Sequence, residues 1–139
     1  MKKRVKALSL DDNQIAYNFA MLRVVPHVHT GAFSPVGVIV HARTTEFLDM
    51  RVITNKDELR NRAHGVDVAL LVKYLKSCVA ICKGDEKAGP IALAPPSERF
   101  HWLTSPRSDV IQCGPVHEGL SNDPEAALDA LFRSEVATG

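Results

Sequence analysis

The sequence has few aromatic residues, few cysteines, almost no net charge and no long hydrophobic run. Aromatic residues make up 6% of the chain, with one tryptophan, and the formal net charge is +1. Sparse aromatics and near-neutral charge argue against a general nucleic-acid binder. Three cysteines, an odd number, argue against a disulfide framework and favour a reducing cytoplasm. No apolar stretch has the length of a membrane span, so no membrane association is expected.

The start of the chain is basic, because four of its first six residues are lysine or arginine. Residues 11–14 are acidic or amide residues, whereas a secretory leader would continue with an apolar run. We therefore expect residues 1–14 to form a flexible tail. A phosphate-binding arm on a nucleic-acid-associated regulator is the weaker alternative.

Length and composition predict a single domain over residues 1–139, with a folded core over residues 15–134. The hydrophobic fraction of 45% and the charged fraction of 24% are ordinary for a globular domain. Glycine and proline divide the chain into short elements, but no linker separates two cores.

Hydrophobic patterning predicts a strand-rich first half. Residues 16–25 and 36–42 are apolar on both faces, which is typical of central strands. Residues 47–53 alternate between apolar and polar, as in a half-exposed strand, and a hairpin at 43–46 joins them to the preceding strand. Residues 110–112 are a candidate for an added edge strand.

Helix-start signals then dominate the second half. The predicted helices cover residues 56–63 after Asn55, residues 68–83 after Asp67, a short stretch from Ser97, and a last helix that Asp123 caps and Pro124 opens. Strands followed by helices predict an α+β fold. We expect an antiparallel sheet, with a three-strand N-terminal meander and an added edge strand, and helices packed on one face.

Two ordered blocks of residues carry a family signal. They are Arg23-Val24-Val25-Pro26, Gly31, Phe33 and Val36-Gly37-Val38, then Arg99-Phe100, Trp102-Leu103, Arg107-Ser108, Ile111-Gln112, Pro115-Val116-His117, Gly119-Leu120, Asp123-Pro124 and Leu131-Phe132. On these residues the chain resembles the bacterial family catalogued as domain of unknown function 3037. The family usually has an acidic residue and an asparagine where this chain has Ala32 and Pro35.

The resemblance implies a bacterial protein from a family without an established activity. It also implies a protein partner, since some members are encoded beside HipA-like kinases. Arg23, which opens the first block, is added on this ground to the candidate binding residues.

Four polar residues near the end of the chain are the best functional candidates: Arg107, Ser108, Gln112 and His117. The planar guanidinium of Arg107 could hold a phosphate or carboxylate. His117 could act as a general acid or base, and Ser108 could be a nucleophile if a base reaches it. In the alternative interpretation, Gln112 and His117 bond the backbone of the Gly-Pro turn instead.

A zinc site is a less favoured interpretation of the cysteines. Cys78 and Cys82 lie four residues apart, as do Cys113 and His117, and together they could supply four ligands. The two helical cysteines also share a stripe with leucines, where cysteine behaves as a small apolar residue. We therefore expect no metal and no other cofactor.

The sequence favours a small cytoplasmic protein that acts as a non-catalytic accessory or protein-interaction module, with a HipA-like kinase as one partner. The expected surface is the segment from Arg107 to Leu120. The alternative is an enzyme that acts on a phosphorylated or nucleotide-like small molecule through Arg107 and His117. No P-loop, nucleophile elbow or zinc-protease motif is present, and the sequence leaves the oligomeric state open.

Overall fold

In the part of the chain that the structure describes, five strands form one antiparallel sheet, and four α-helices pack against it. The computed structural model describes residues 14–24, 34–63, 65–105 and 111–137. The elements are β1 (Ile15–Val24), β2 (Ser34–Ala42), β3 (Phe47–Val52), α1 (Lys56–Arg62), α2 (Val68–Cys82), α3 (Pro96–Thr104), β4 (Ile111–Cys113), β5 (His117–Ser121) and α4 (Pro124–Leu131), and a π-helical segment (Phe132–Ala137) follows α4. The predicted α+β class with an antiparallel sheet is confirmed.

The meander of β1, β2 and β3 is also confirmed. The strand order is β3-β2-β1-β4, and β5 pairs with the same edge of β1 as β4 does. A short 3₁₀ turn joins β2 to β3, and Glu46 closes it in the left-handed conformation with a φ of 54°. β1 is central, as its two apolar faces predict, because β2 flanks one edge and β4 with β5 flank the other.

One face of the sheet, here called the α3 face, carries Ile39, His41 and Met50. The His41 ring stacks on Phe100 of α3, with 5.1 Å between ring centroids. Burial, followed by the charge of Arg43, lowers the pKa of His41 from its usual value. α1 and α2 add Leu59, Leu71 and Leu75 to the same hydrophobic core.

The opposite face, here called the α4 face, is covered over β2 and β3 by α4. Arg51 follows Met50 and so points away from the α3 face, because side chains alternate along a strand. Its guanidinium bonds the carboxylate of Asp129 on α4. The sequence predicted helices on one face of the sheet, whereas the structure also places α4 on the other face. Helices on both faces explain why residues 36–42 are buried throughout.

The helix starts follow the sequence closely. Asn55, Asp67 and Asp123 each accept hydrogen bonds from backbone N–H groups in the first turn of their helices. α3 begins at Pro96, one residue before Ser97, and has no side-chain cap. Within the described ranges, no helix is long and apolar enough to cross a membrane.

Candidate binding site

A one-residue bulge separates β4 from β5. Cys113 lies opposite Leu22, and His117 lies opposite Phe19. Cys113 and His117 are four positions apart, whereas their partners on β1, Leu22 and Phe19, are three positions apart. The chain between β4 and β5 therefore contains one extra residue. An extra residue reverses the side-chain alternation of the strand that follows it. The bulge therefore decides which face of the sheet the β5 side chains occupy.

Because of this bulge, Gln112 and His117 share the α4 face although five positions separate them. Gln112 lies opposite Arg23, so the bulge brings together three of the predicted binding residues on one face. Arg107 and Ser108 lie outside the described residues. His117 is exposed, and Gln112 and Arg23 are half-buried.

Two glycines allow flat side chains to lie close to the sheet on this face. A Cβ atom on Gly119 would lie 2.5 Å from the Tyr17 ring, and one on Gly114 would lie 3.1 Å from the Arg23 guanidinium carbon. The ring of Tyr17 and the guanidinium of Arg23 therefore rest on glycine backbone.

Phe19 and His117 extend the aromatic part of this face from Tyr17. The centroids of the Phe19 and His117 rings are 5.3 Å apart, and those of Tyr17 and Phe19 are 5.9 Å apart. Such spacings are typical of packed aromatic pairs. We call Tyr17, Phe19, His117 and Arg23 the planar row, which follows the length of β1.

The contacts of His117 bear on whether it could transfer a proton. His117 has a ring contact with Phe19, but no acidic side chain among the described residues bonds it. Glu118 is the next residue along β5 and so points to the opposite face of the sheet. A general base of the triad type needs a partner that orients the ring, and the described residues do not provide one.

The cysteines lie on the other side of the sheet. Cys78 and Cys113 line a cavity of about 270 Å³ beside Trp102. The thiol of Cys113 donates to the carbonyl of Leu103 at 3.3 Å. Burial raises the pKa of the Cys82 and Cys113 thiols to about 12. Both therefore stay protonated near neutral pH, which suits an apolar role.

The four candidate zinc ligands are not brought together. Cys113 and His117 lie on opposite faces of the sheet, because the bulge lies between them. Over the described ranges, no three histidine, cysteine or acidic side chains cluster in a way that could hold a metal ion. Two further histidines of the sequence, His27 and His29, could also bind a metal as a His-x-His pair, and they lie outside the described residues.

Sequence reasoning missed Tyr17, Gly114 and Gly119 as parts of this face, and it missed β5 altogether. β5 contains a glycine and a glutamate and has only one large apolar side chain, so it lacks the alternation that predicts strands. The available signal was Gly114-Pro115, since proline within a strand region indicates an edge or a bulge.

Comparison with protein-family models gives a match. The model of the family described as "Protein of unknown function (DUF3037)" matches residues 19–136. The comparisons with curated proteins and with solved structures find no match.

Proposed function

The chain belongs to the DUF3037 family, and we propose that it acts as a protein-interaction module without catalysis of its own. The observation that carries the proposal is the exposed apolar surface at β5. Leu120 is 67% exposed and Val116 is 49% exposed, and both lie on the bulge and strand at the sheet edge. Within the described residues, β5 pairs only with β1, so its other edge is open.

An open strand edge with exposed apolar side chains is a common means of protein association. The surface also coincides with part of the segment from Arg107 to Leu120 that the sequence singled out. A HipA-like kinase is the partner that the family resemblance suggests, and we propose it as the first candidate to test.

Replacing Leu120 by lysine should abolish stoichiometric co-purification of a partner from the native host. The side chain is largely exposed, so the fold should be retained while a charge is placed in the interface. The measurement is affinity purification of the full chain followed by quantification of bound protein, with the HipA-like kinase tested directly by co-expression.

Leu93→Lys is the matched control, because Leu93 is also 67% exposed but lies in the turn before α3. It should co-purify the same partner as the unsubstituted chain. Recovery of no stoichiometric partner with the unsubstituted chain, or equal loss with both lysine variants, would contradict the proposal.

A second candidate function is the binding of a nucleotide-like small molecule on the planar row. The observation that favours it is the combination of flat aromatic rings with the Arg23 guanidinium on one sheet face. A base could stack on the rings, and the guanidinium could hold a phosphate.

Nucleoside 5′-monophosphates should bind the protein, and His117→Ala should weaken that binding about tenfold. Loss of base stacking costs about 1–3 kcal/mol per base, and a tenfold change corresponds to about 1.4 kcal/mol. Isothermal titration calorimetry is the measurement. His101→Ala, at an exposed histidine of α3, is the control. Absence of binding by the unsubstituted protein would eliminate this candidate, whereas turnover of the nucleotide would favour the enzyme alternative.

A further inference from the structure

The outer edge of β3 presents main-chain groups to a groove. β3 is the terminal strand of the sheet and, among the described residues, pairs only with β2. The N–H of Ile53 donates to the carbonyl of Val36 at 2.9 Å. This bond shows which residues of the strand direct their main-chain groups toward β2. Antiparallel ladders alternate, so Arg51 points its N–H and C=O toward β2 while Met50 and Val52 point theirs outward.

Side-chain hydrogen bonds show that the N–H of Met50 points outward and that this part of the edge is covered. The Met50 N–H donates to Oδ1 of Asp49 at 2.8 Å. The same oxygen accepts a hydrogen bond from Nζ of Lys83 at 3.1 Å. Charged side chains that occupy edge groups are a common protection against unwanted strand pairing. Among the described residues, no side chain bonds the main chain of Val52 in this way, so the open part of the edge begins there.

An apolar groove of about 550 Å³ lies between this edge and α2. Val72, Leu75 and Val79 of α2 and Leu59 of α1 line it opposite Val52. Its volume lies within the range of ligand sites, which is about 300–1,000 Å³. An extended chain between a sheet edge and a helix can use main-chain hydrogen bonds on one side and side-chain pockets on the other.

The rim of the groove is positively charged. Lys76 lines the groove itself, and Lys73 and Lys87 line the adjoining depression on α2. These three lysines form no ion pair with a described residue, unlike Lys83, which pairs with Asp49. Asp85 is the acidic side chain on this rim. The free cations therefore favour an acidic ligand.

We propose that this groove binds an extended, acidic segment of a partner protein, which pairs with the open end of the β3 edge at Val52. The inference rests on the proposed interaction function and gives it a second surface with a defined partner chemistry. Alternate side chains of the segment enter the groove over Leu75 and Val79. An acidic side chain on the same face of the segment reaches Lys76, since the residues between point away from α2. The Asp49–Lys83 pair marks the end of the available edge.

The test uses the full chain and a fluorescein-labelled valine–glutamate peptide, Val-Ser-Val-Ser-Glu-Ser, in which the valines and the glutamate share one face. Fluorescence anisotropy should show saturable binding that the valine–lysine peptide, with lysine in place of the glutamate, does not reproduce. Lys76→Glu should weaken the binding of the valine–glutamate peptide at least tenfold. Arg133→Glu, the same charge reversal at an exposed site of the C-terminal π-helical segment, should change binding less than twofold.

A second pair of variants tests the main-chain contact. Val52→Pro removes an outward N–H that β2 does not use, so it should weaken binding at least tenfold. Leu48→Pro removes an outward N–H on the same strand but outside the groove, so binding should stay within twofold. Circular dichroism checks the fold of each variant, and the Lys76→Glu result stands by itself if either proline variant does not fold.

Several outcomes would overturn the proposal. These are no binding of the valine–glutamate peptide, equal binding of the valine–lysine peptide, or self-association of the protein through β3 that Lys76→Glu abolishes. Peptide binding should persist in Leu120→Lys. If the peptide does not bind while Leu120-dependent co-purification is intact, the groove proposal fails and the interaction function at β5 stands.

Discussion

Replacing Leu128 by alanine should lower the free energy of unfolding by about 2–5 kcal/mol. Leu128 lies on α4 with its side chain fully buried, in the same cluster as Val36, Val38 and Val40 of β2. Truncation loses apolar burial and leaves a cavity that α4 closes only in part. Urea unfolding followed by circular dichroism measures the change, with an unchanged slope as the check on two-state behaviour.

Leu93→Ala is the matched control for this prediction. Leu93 is 67% exposed, so the same truncation should change the free energy of unfolding by about 0.5 kcal/mol or less. A loss at Leu128 as small as the loss at Leu93 would show that α4 does not cover the sheet as described.

Gly37→Ala should destabilise the protein by about 1–3 kcal/mol, although alanine usually suits a strand better than glycine does. A Cβ atom at residue 37 would lie 2.9 Å from the carbonyl oxygen of Arg51 and 2.9 Å from Cγ1 of Val52. The carbonyl belongs to the ladder between β2 and β3, so relief requires that β3 move. Urea unfolding again measures the effect.

Gly119→Ala provides the comparison for Gly37→Ala. The added Cβ atom comes closer to its neighbour at residue 119 than at residue 37, but that neighbour is a side chain and not the backbone of a paired strand. Its Cβ would lie 2.5 Å from the ring of Tyr17, which is a side chain that can rotate away. We expect a loss of about 1 kcal/mol or less in the free energy of unfolding. A larger loss at Gly119 than at Gly37 would mean that β3 yields more easily than the Tyr17 ring.

The sequence predicted most elements because their signals are local. Asn55, Asp67 and Asp123 cap helices through bonds to residues two or three positions later. The apolar runs of β1 and β2 likewise predicted central strands. Each of these signals lies within about ten residues of chain, where propensity and periodicity act.

The candidate site was only partly predictable, because its assembly depends on strand register. Gln112 and His117 were singled out by type and proximity in sequence. Their shared face depends on the bulge at Gly114, which also separates His117 from Cys113. A shift of one residue would reverse this arrangement, and nothing in the local composition of β5 indicates the register.

The sequence by itself determined the family, the α+β class and the residues at which helices begin, because short-range hydrogen bonds and hydrophobic periodicity encode these features. Only the tertiary structure decided that Arg23, Gln112 and His117 share a face, that α4 covers the second face, and that the edge of β3 opens into a groove beside α2. These features depend on pairing between segments far apart in the chain. Such pairing is set by how the whole core packs and not by any single stretch of residues.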